Sequence, residues 1–192
     1  MKNIAIADDN FAHRMVLRGL LEELGYKVTA EGQNWAEAVM ICGRHRPDAI
    51  ILDIRMPVKS GIEAATEITA LYQTPVILLS AHNDQETAEL AAKAGVMAFL
   101  AKPVRQEELT PAIVLAISRA AEFNMLRAEA DGLKGALSAR KSIEKAKGIL
   151  MERDNITENE AFSRIRQISM DKRRQMADIA EAIILAFEVS DR

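Results

Sequence analysis

The sequence predicts an α/β fold, a doubly wound five-stranded parallel sheet, followed by a long helix and a small all-α three-helix domain. Two observations predict the sheet: short apolar runs alternate with helical patterns of about ten residues, and carboxylates stand where some of these runs end. A third observation predicts the tail, because no strand pattern recurs after about Arg105. Since parallel crossovers are right-handed, few arrangements remain, and we expect the strand order 2-1-3-4-5.

Five strands are predicted from apolar or β-branched runs that end at turn residues. The clearest is AIILD, residues 49–53, whose apolar residues lead directly to a carboxylate and to a turn that contains Pro57 and Gly61. Such a run is typical of a strand that is buried on both faces of a parallel sheet. The other strands are predicted at residues 3–7, 26–30, 75–80 and 96–101.

Helices are predicted between the strands from apolar residues at helical spacing. Asn10 can cap the first helix, and its predicted apolar stripe is Phe11, Val16, Leu17, Leu20, Leu21 and Leu24. Further helices are predicted at residues 35–45, 62–72 and 85–94, and a long helical pattern begins near Gln106.

The tail pattern predicts a helical linker and a three-helix domain. A 3-4 spacing typical of a short coiled coil joins Phe123, Leu126, Ala130, Leu133 and Leu137. We expect it to mediate self-association, although it could instead pack on its own molecule. Thr157 and Glu160 match a capping box, and Asp171 can cap a last helix. We therefore divide the chain into residues 1–118, 119–138 and 139–192.

Composition limits the function classes. The net charge is −3, yet residues 138–174 carry 10 basic against 6 acidic side chains, so the tail can meet an anionic partner. The single cysteine, Cys42, excludes an intramolecular disulfide and a cysteine-based zinc site. No uninterrupted apolar run approaches the roughly 18 residues of a membrane span. We therefore expect a cytoplasmic protein with no membrane partner.

Chemistry-bearing side chains follow the carboxyl ends of the predicted strands. Asp8 and Asp9 end the first strand and Asp53 ends the third, which are neighbours in the expected order. Carboxylates gathered there repel one another unless a cation lies among them, and oxygen ligands in a shallow site suit Mg²⁺. Ser80 and Lys102 reach the same crevice. This set can handle a phosphoryl group, with Asp53 as nucleophile, although Asp53 alone could be a helix cap.

These positions together resemble a response-regulator receiver domain with a flavodoxin-like fold, over residues 1 to about 118. The matching signals are Asp8-Asp9, Asp53 with Met56, Pro57 and Gly61, Ser80-Ala81, and Lys102-Pro103.

The receiver resemblance implies that Asp53 accepts phosphate from a sensor histidine kinase. It also implies that Mg²⁺ binds Asp9, Asp53 and the Arg55 backbone carbonyl, with Asp8 acting through water. Ser80 would turn toward the phosphoryl group, Phe99 would change rotamer as the switch residue, and Lys102-Pro103 would be a cis peptide. Arg55 and His82 would border the attacking water.

The tail is similar to the ANTAR domain, a three-helix RNA-binding module, over about residues 139–184. The similarity rests on Ala146-Lys147-Gly148, on Ala161-Phe162 after Glu160, and on single matches elsewhere. It implies a regulator of transcription antitermination that binds hairpin loops of a nascent transcript as a homodimer when phosphorylated. The residues expected to meet RNA phosphates are Lys141, Lys145, Lys147, Arg166, Lys172, Arg173 and Arg174.

Two other functions are compatible with the residues. A basic helical tail could contact duplex DNA or a protein partner instead of RNA. An enzymatic tail is disfavoured, because the tail has no histidine, no cysteine and no glycine-rich phosphate loop. We therefore expect a regulator that is not an enzyme.

Overall fold

The computed structural model describes residues 1–81 and 85–190 of the 192-residue chain. The chain forms two compact units, Met1–Met125 and Leu126–Arg192. Each unit has its own buried core, and one long helix contributes residues to both.

The first unit is the predicted parallel sheet, with the predicted order β2-β1-β3-β4-β5. The strands are β1 (Asn3–Ala7), β2 (Lys27–Gly32), β3 (Ala49–Asp53), β4 (Val76–Ser80) and β5 (Ala98–Ala101). Strands β3 and β4 are buried along their whole length, because helices cover both faces of the sheet. β5 begins two residues later than predicted, since the Val96 amide donates to the Ala91 carbonyl and closes the preceding helix.

Helices cover both faces of this sheet. They are α1 (Phe11–Glu23), α2 (Trp35–His45), α3 (Gly61–Tyr72), α4 (Gln85–Lys93) and α5 (Gln106–Asp154). On one face, α1 and the start of α5 pack on Ile4, Ile6 and Ile51, and on the other face α2, α3 and α4 pack on Ala5 and Leu52. Alternate residues of one strand therefore enter different cores, as the period of two requires.

The predicted apolar stripe of α1 is partly wrong. Phe11 and Val16 are 65% and 63% exposed, whereas Leu17 and Leu21 are buried. The inward position one turn before Leu17 is taken by Arg14, which is buried and bonded to polar groups at the end of β1. Helical spacing thus located the helix but misplaced its buried face over the first two turns.

The second unit is a small helical bundle. It consists of the last part of α5 with α6 (Glu158–Lys172) and α7 (Met176–Ser190). The segment predicted as a separate helix near residues 142–151 is the end of α5. Fully buried residues at its centre are Ala146, Ala161, Ile165 and Ala180.

The helix caps of this unit confirm one prediction and correct another. Thr157 and Glu160 form the predicted capping box at the start of α6. Asp171 does not cap α7, because it lies inside α6 and accepts a hydrogen bond from Gln167. The chain turns at Arg173, which has the left-handed φ of 52° that commonly ends a helix.

The seam predicted on α5 is exposed. Phe123, Leu126, Leu133 and Leu137 each leave more than half of their surface accessible. By length and composition alone, α5 is the one helix among the described residues that is long and apolar enough to cross a membrane, and core helices can share that length and composition.

Candidate functional site

The acidic side chains predicted to converge do lie together at the carboxyl end of the sheet. β1 and β3 pair in parallel with Ala7 opposite Leu52, so that Asp8 and Asp53 follow at adjacent positions. Oxygen atoms of Asp8, Asp9 and Asp53 all lie within 4.8 Å of one another. Asp8 and Asp53 are 2% and 7% exposed, whereas Asp9 is exposed. The cluster is therefore half embedded and open on one side.

Lys102 supplies the cation next to these carboxylates. Its Nζ atom lies 2.7 Å from Oδ2 of Asp8 and 3.0 Å from Oδ1 of Asp53. The Lys102 amide donates to the carbonyl of Ser80 at 2.7 Å, which fixes the residue directly after β5. The peptide bond to Pro103 is cis, as the receiver resemblance implied.

The pKa of Asp53 reflects these surroundings. Burial raises the pKa of the Asp53 carboxyl above its ordinary value, and the charge of Asp8 acts in the same direction. Lys102 and the backbone N–H of Arg55 favour the carboxylate but do not offset the burial. A second cation beside Asp53 would therefore stabilise its charged, nucleophilic form.

Arg14 contacts the backbone of the loop that contains Asp8 and Asp9, a contact that the sequence pattern did not predict. Its Nη1 atom donates to the backbone carbonyl of Asp8 at 2.7 Å, and its Nε atom lies 3.3 Å from Glu31. Asp8 Oδ1 accepts the Asn10 amide, and Asn10 caps α1 as predicted. The signal in the sequence was an arginine at the spacing of Leu17 and Leu21, which marks it as inward-facing.

His13 also borders the site, although its sequence context gave no metal-ligand spacing. Its Nδ1 atom lies 3.4 Å from Oδ2 of Asp8 and 3.3 Å from Nζ of Lys102, while about half of the side chain is exposed. No sequence pattern predicts this contact, because it joins helix α1 to a residue 89 positions later.

The loop after β3 fits tightly against the end of that strand. The Gly61 amide donates to the carbonyl of Ile54 at 2.8 Å. A Cβ atom on Gly61 would lie 2.0 Å from the carbonyl oxygen of Asp53, so only glycine fits here. Ser60 and Glu63 then form a capping box that starts α3. The end of the loop that contains Pro57 therefore packs directly against the backbone of Asp53.

Trp35 lies beside the same loop. The Nζ atom of Lys59 lies 3.8 Å from the centre of the indole ring, within cation–π distance. The indole N–H donates to Glu67 on α3 at 3.0 Å. The loop between β3 and α3 is therefore tied to an aromatic side chain on α2.

Of the remaining predicted receiver positions, Arg55 lines the site and Ser80 lies at the same edge of the sheet, whereas Phe99 does not line the cavity. Ser80 is buried at the end of β4, and the Arg55 backbone directly follows the Asp53 turn. Phe99 is half-buried and packs against the core under α2, α3 and α4. His82 lies outside the described residues. A cavity of about 460 Å³ opens among Asp9, Asp53, Arg55, Ala81 and Lys102.

The donor set at this cavity fits a divalent metal ion. Three carboxylates within 4.8 Å of one another offer the oxygen ligands that Mg²⁺ prefers, and the open side leaves room for its waters. Lys102 is the cation that balances part of this negative charge in the structure. The site can therefore hold a metal and a phosphoryl group beside one carboxylate.

The structure changes the interpretation of one predicted RNA-binding residue. Lys147 is 7% exposed, and its Nζ atom bonds Glu144 at 2.9 Å and Glu158 at 2.6 Å. These bonds, first to Glu158 and then to Glu144, raise the pKa of Lys147. Lys147 therefore joins α5 to the start of α6, and its ammonium does not face an open surface.

The other predicted tail cations are exposed but fall in different places. Lys145 pairs with Glu188 at 2.9 Å, and Lys141 lies on the same side of the helical unit. Lys172 and Arg174 border a groove at the end of α6, together with Arg153 and Arg164, which our sequence analysis did not select. Arg166 and Arg173 are exposed elsewhere on or just after α6.

Comparisons with known proteins agree with both parts of this description. Residues 4–114 match the family model of the response regulator receiver domain, and residues 131–184 match that of the ANTAR domain. The chain is 38% identical to the transcriptional regulatory protein PdtaR of Mycobacterium tuberculosis, over 95% of this chain and 89% of that protein.

Solved structures resemble the first unit. The signal receiver domain of a modulated diguanylate cyclase from Desulfovibrio desulfuricans has a TM-score of 0.59 and 31% identity, covering 63% of this chain and 97% of its own. The receiver domain of the sensor histidine kinase PA1611 from Pseudomonas aeruginosa has a TM-score of 0.56 and 34% identity, covering 61% and 98%. That crystal structure has a magnesium ion coordinated in its active site cleft.

Proposed function

Because the chain belongs to the response regulators that join a receiver domain to an ANTAR domain, we propose that Asp53 is its phosphoacceptor and that Mg²⁺ binds beside it. The chain is a two-component response regulator with an RNA-binding antitermination output. It belongs to a family of regulators that are not enzymes, and its receiver implies a histidine kinase as partner.

The observation that carries the proposal is the convergence of three carboxylate side chains and one ammonium group. Asp9, Asp53 and the Arg55 backbone carbonyl would bind the ion directly, and Asp8 would hold it through water. The ion supplies positive charge that stabilises the ionised Asp53 and the phosphoryl oxygens. An Asp53 oxygen attacks the phosphorus, the bond from phosphorus to the donor breaks, and Lys102 balances charge on the oxygens. Ser80 and Phe99 would then respond to the phosphoryl group.

A labelling experiment tests the phosphoacceptor. Asp53→Ala should abolish Mg²⁺-dependent phosphorylation by acetyl phosphate, whereas Asp48→Ala, at a surface aspartate away from the cluster, should keep it. Retained labelling of the Asp53 variant would place the acceptor on another residue. Mapping of the phosphorylated peptide after borohydride reduction would identify that residue.

The tail is the part that would meet RNA. We propose that the exposed cations Lys141, Lys145, Arg166, Lys172, Arg173 and Arg174 include its phosphate contacts, and that hairpin loops of a nascent transcript are its targets. Lys147 is left out of this set because its ammonium is enclosed by two carboxylates. The proposed division stays at residues 1–118, 119–138 and 139–192, and we propose a cytoplasmic location.

We also propose that the phosphorylated chain forms a homodimer through α5. The exposed seam of Phe123, Leu126, Leu133 and Leu137 is apolar and has helical spacing, so a second copy could cover it. Light scattering with and without beryllofluoride measures whether the chain is a monomer or a dimer. Leu126→Glu with Leu133→Glu should keep the chain monomeric, whereas Leu71→Glu, at an exposed leucine on α3, should not. A dimer that persists in the double variant would place the interface elsewhere.

A gel-shift comparison separates RNA from the alternative partners. The full chain, with and without acetyl phosphate, is titrated with two-hairpin RNA and with duplex DNA of the same length. Tighter binding to the RNA supports the proposed output. A preference for the duplex, or no binding to either nucleic acid, would favour a tail that contacts DNA or a protein.

A further inference from the structure

A groove in the second unit has an apolar floor and a cationic rim. It has a volume of about 540 Å³ and lies between the end of α5, α6 and α7. Leu150, Ile168 and Ile179 form part of its floor, of which Leu150 and Ile179 are buried. Its volume is in the range of sites that enclose a small molecule or one part of a larger ligand.

The rim carries four positive side chains: Arg153, Arg164, Lys172 and Arg174. In the part of the chain that the structure describes, no carboxylate lines this groove. The nearby Asp154 accepts hydrogen bonds from Arg153, at 2.7 and 3.1 Å, and from Arg164. One carboxylate thus orders two guanidinium groups, and the groove keeps an excess of positive charge.

Two other cations of the same unit are more fully neutralised. Lys147 is enclosed by Glu144 and Glu158, and Lys145 pairs with Glu188. The groove therefore joins uncompensated positive charge with apolar surface. Planar guanidinium groups at its edge can contact phosphate and also stack on a base.

We propose that this groove binds an unpaired nucleotide of the RNA, with the base on the apolar floor and the neighbouring phosphates on the rim. The inference rests on the proposed RNA-binding function and specifies where on the tail the contact is made. An unstacked base fits such a cavity, whereas a base within a duplex is stacked and cannot enter it. The tail has few aromatic side chains, so guanidinium planes and aliphatic side chains take the place of an aromatic platform.

Two kinds of variant test the charge and the cavity separately. Arg153→Gln removes one rim charge, and Lys134→Gln, at an exposed lysine on α5, removes the same charge away from the groove. Ala182→Trp fills the mouth of the groove and keeps all charges, and Ala128→Trp makes the same substitution at an exposed alanine of α5 away from the groove. Circular dichroism melting and phosphorylation by acetyl phosphate check that each variant is folded.

Binding is measured with the full chain, phosphorylated and unphosphorylated, on a pool of stem-loop RNAs that share a stem and have randomised loops. We expect Arg153→Gln to weaken binding about tenfold and to lower the slope of log affinity against log salt by about 0.7. Ala182→Trp should weaken binding about tenfold with an unchanged slope, because no charge is lost. Both control variants should bind as the unaltered chain does.

Three outcomes would overturn the proposal. If Ala182→Trp is folded and binds like the unaltered chain, the groove is not the contact, although RNA binding itself would stand. If the same stem closed as a blunt duplex binds as tightly as the stem-loop pool, the contact is not an unpaired nucleotide. If the unaltered chain does not bind the pool in either state, the proposed RNA-binding function fails as well.

Discussion

The ammonium nitrogen of Lys102 lies 3.0 Å from Oδ1 of Asp53, although the two residues belong to strand ends on opposite sides of β4. The charge of Lys102 offsets part of the repulsion among Asp8, Asp9 and Asp53 while no metal ion is bound. This contact also places a cation where phosphoryl oxygens would be held.

Lys102→Gln should slow phosphorylation of Asp53 by about 100- to 1,000-fold, the usual effect of removing one preorganised charge-stabilising group. Lys102 favours the charged form of Asp53, so its loss also leaves less of the nucleophilic carboxylate at a given pH. The rate of labelling by acetyl phosphate with Mg²⁺ measures the change. Lys93→Gln, at an exposed lysine on α4, is the matched control and should label normally. A normal labelling rate in Lys102→Gln would show that Lys102 does not stabilise the charge that develops during phosphorylation.

Asp53→Asn should raise the melting temperature of the chain in metal-free buffer near neutral pH. Burial raises the pKa of Asp53 in the folded chain, so the folded form favours the protonated carboxyl and loses stability as the pH rises through that pKa. The advantage of the variant should therefore shrink as the pH falls from about 8 toward about 4, the ordinary value of an aspartate.

Added Mg²⁺ should raise the melting temperature of the unaltered chain more than that of Asp53→Asn, because the ion favours the carboxylate. Differential scanning fluorimetry over this pH range measures both effects. Equal melting temperatures at every pH would contradict a raised pKa of Asp53 in the folded chain.

Gly61→Ala should lower the free energy of unfolding of the receiver by about 1–3 kcal/mol, because the added methyl group would overlap the Asp53 carbonyl and the loop must move. It should also weaken Mg²⁺ binding, since the carboxylate moves with its backbone. Gly19→Ala is the control. Apart from its chain neighbours and the backbone of its own helix, no atom lies within 4 Å of a Cβ at that position, so we expect a gain of about 0.4–1 kcal/mol. Urea denaturation measures both variants, and an unchanged free energy of unfolding in Gly61→Ala would show that the loop moves aside without cost.

Lys147→Met should lower the melting temperature of the helical unit, because Glu144 and Glu158 lose the cation that joins α5 to α6. The pair acts only while both groups are charged. The pKa of Lys147 is raised and that of Glu158 is lowered, so the contribution is lost above the range of lysine and below that of glutamate. The difference between the variant and the unaltered chain should therefore be largest at intermediate pH.

The matched control for Lys147 is Lys141→Met, at an exposed lysine on the same helix. Melting curves by circular dichroism compare the two variants. If Lys147→Met melts normally and only RNA affinity falls, Lys147 contacts RNA directly, and its role as a joint between helices is wrong.

The sequence predicted the sheet well because strands buried on both faces have an unmistakable composition. β3 and β4 contain almost only apolar residues, and their ends carry the acidic and hydroxyl groups. The handedness of the crossovers left few strand orders, and in the order 2-1-3-4-5 the strands that Asp8, Asp9 and Asp53 follow are neighbours. Contacts of individual side chains were much harder to predict. Arg14 lies in an apolar stripe, and nothing in its neighbourhood names Asp8 as its partner.

The tail was harder to predict, because a count of basic residues does not show which of them are paired. Lys147 and Arg164 look alike in the sequence, yet one is enclosed by two glutamates and the other borders a groove. Helix boundaries failed for a similar reason. Asp171 is a good cap by type, but α6 continues past it and ends where Arg173 adopts a left-handed conformation.

The fluorescence of the Trp35 indole can report changes in the loop that follows Asp53. Trp35 is the only tryptophan in the sequence, and it lies under Lys59 of that loop. Any rearrangement of that loop alters the charge above the ring and with it the emission. Stopped-flow fluorescence can therefore follow metal and phosphodonor additions in real time without a dye, and the helical tail adds no tryptophan background.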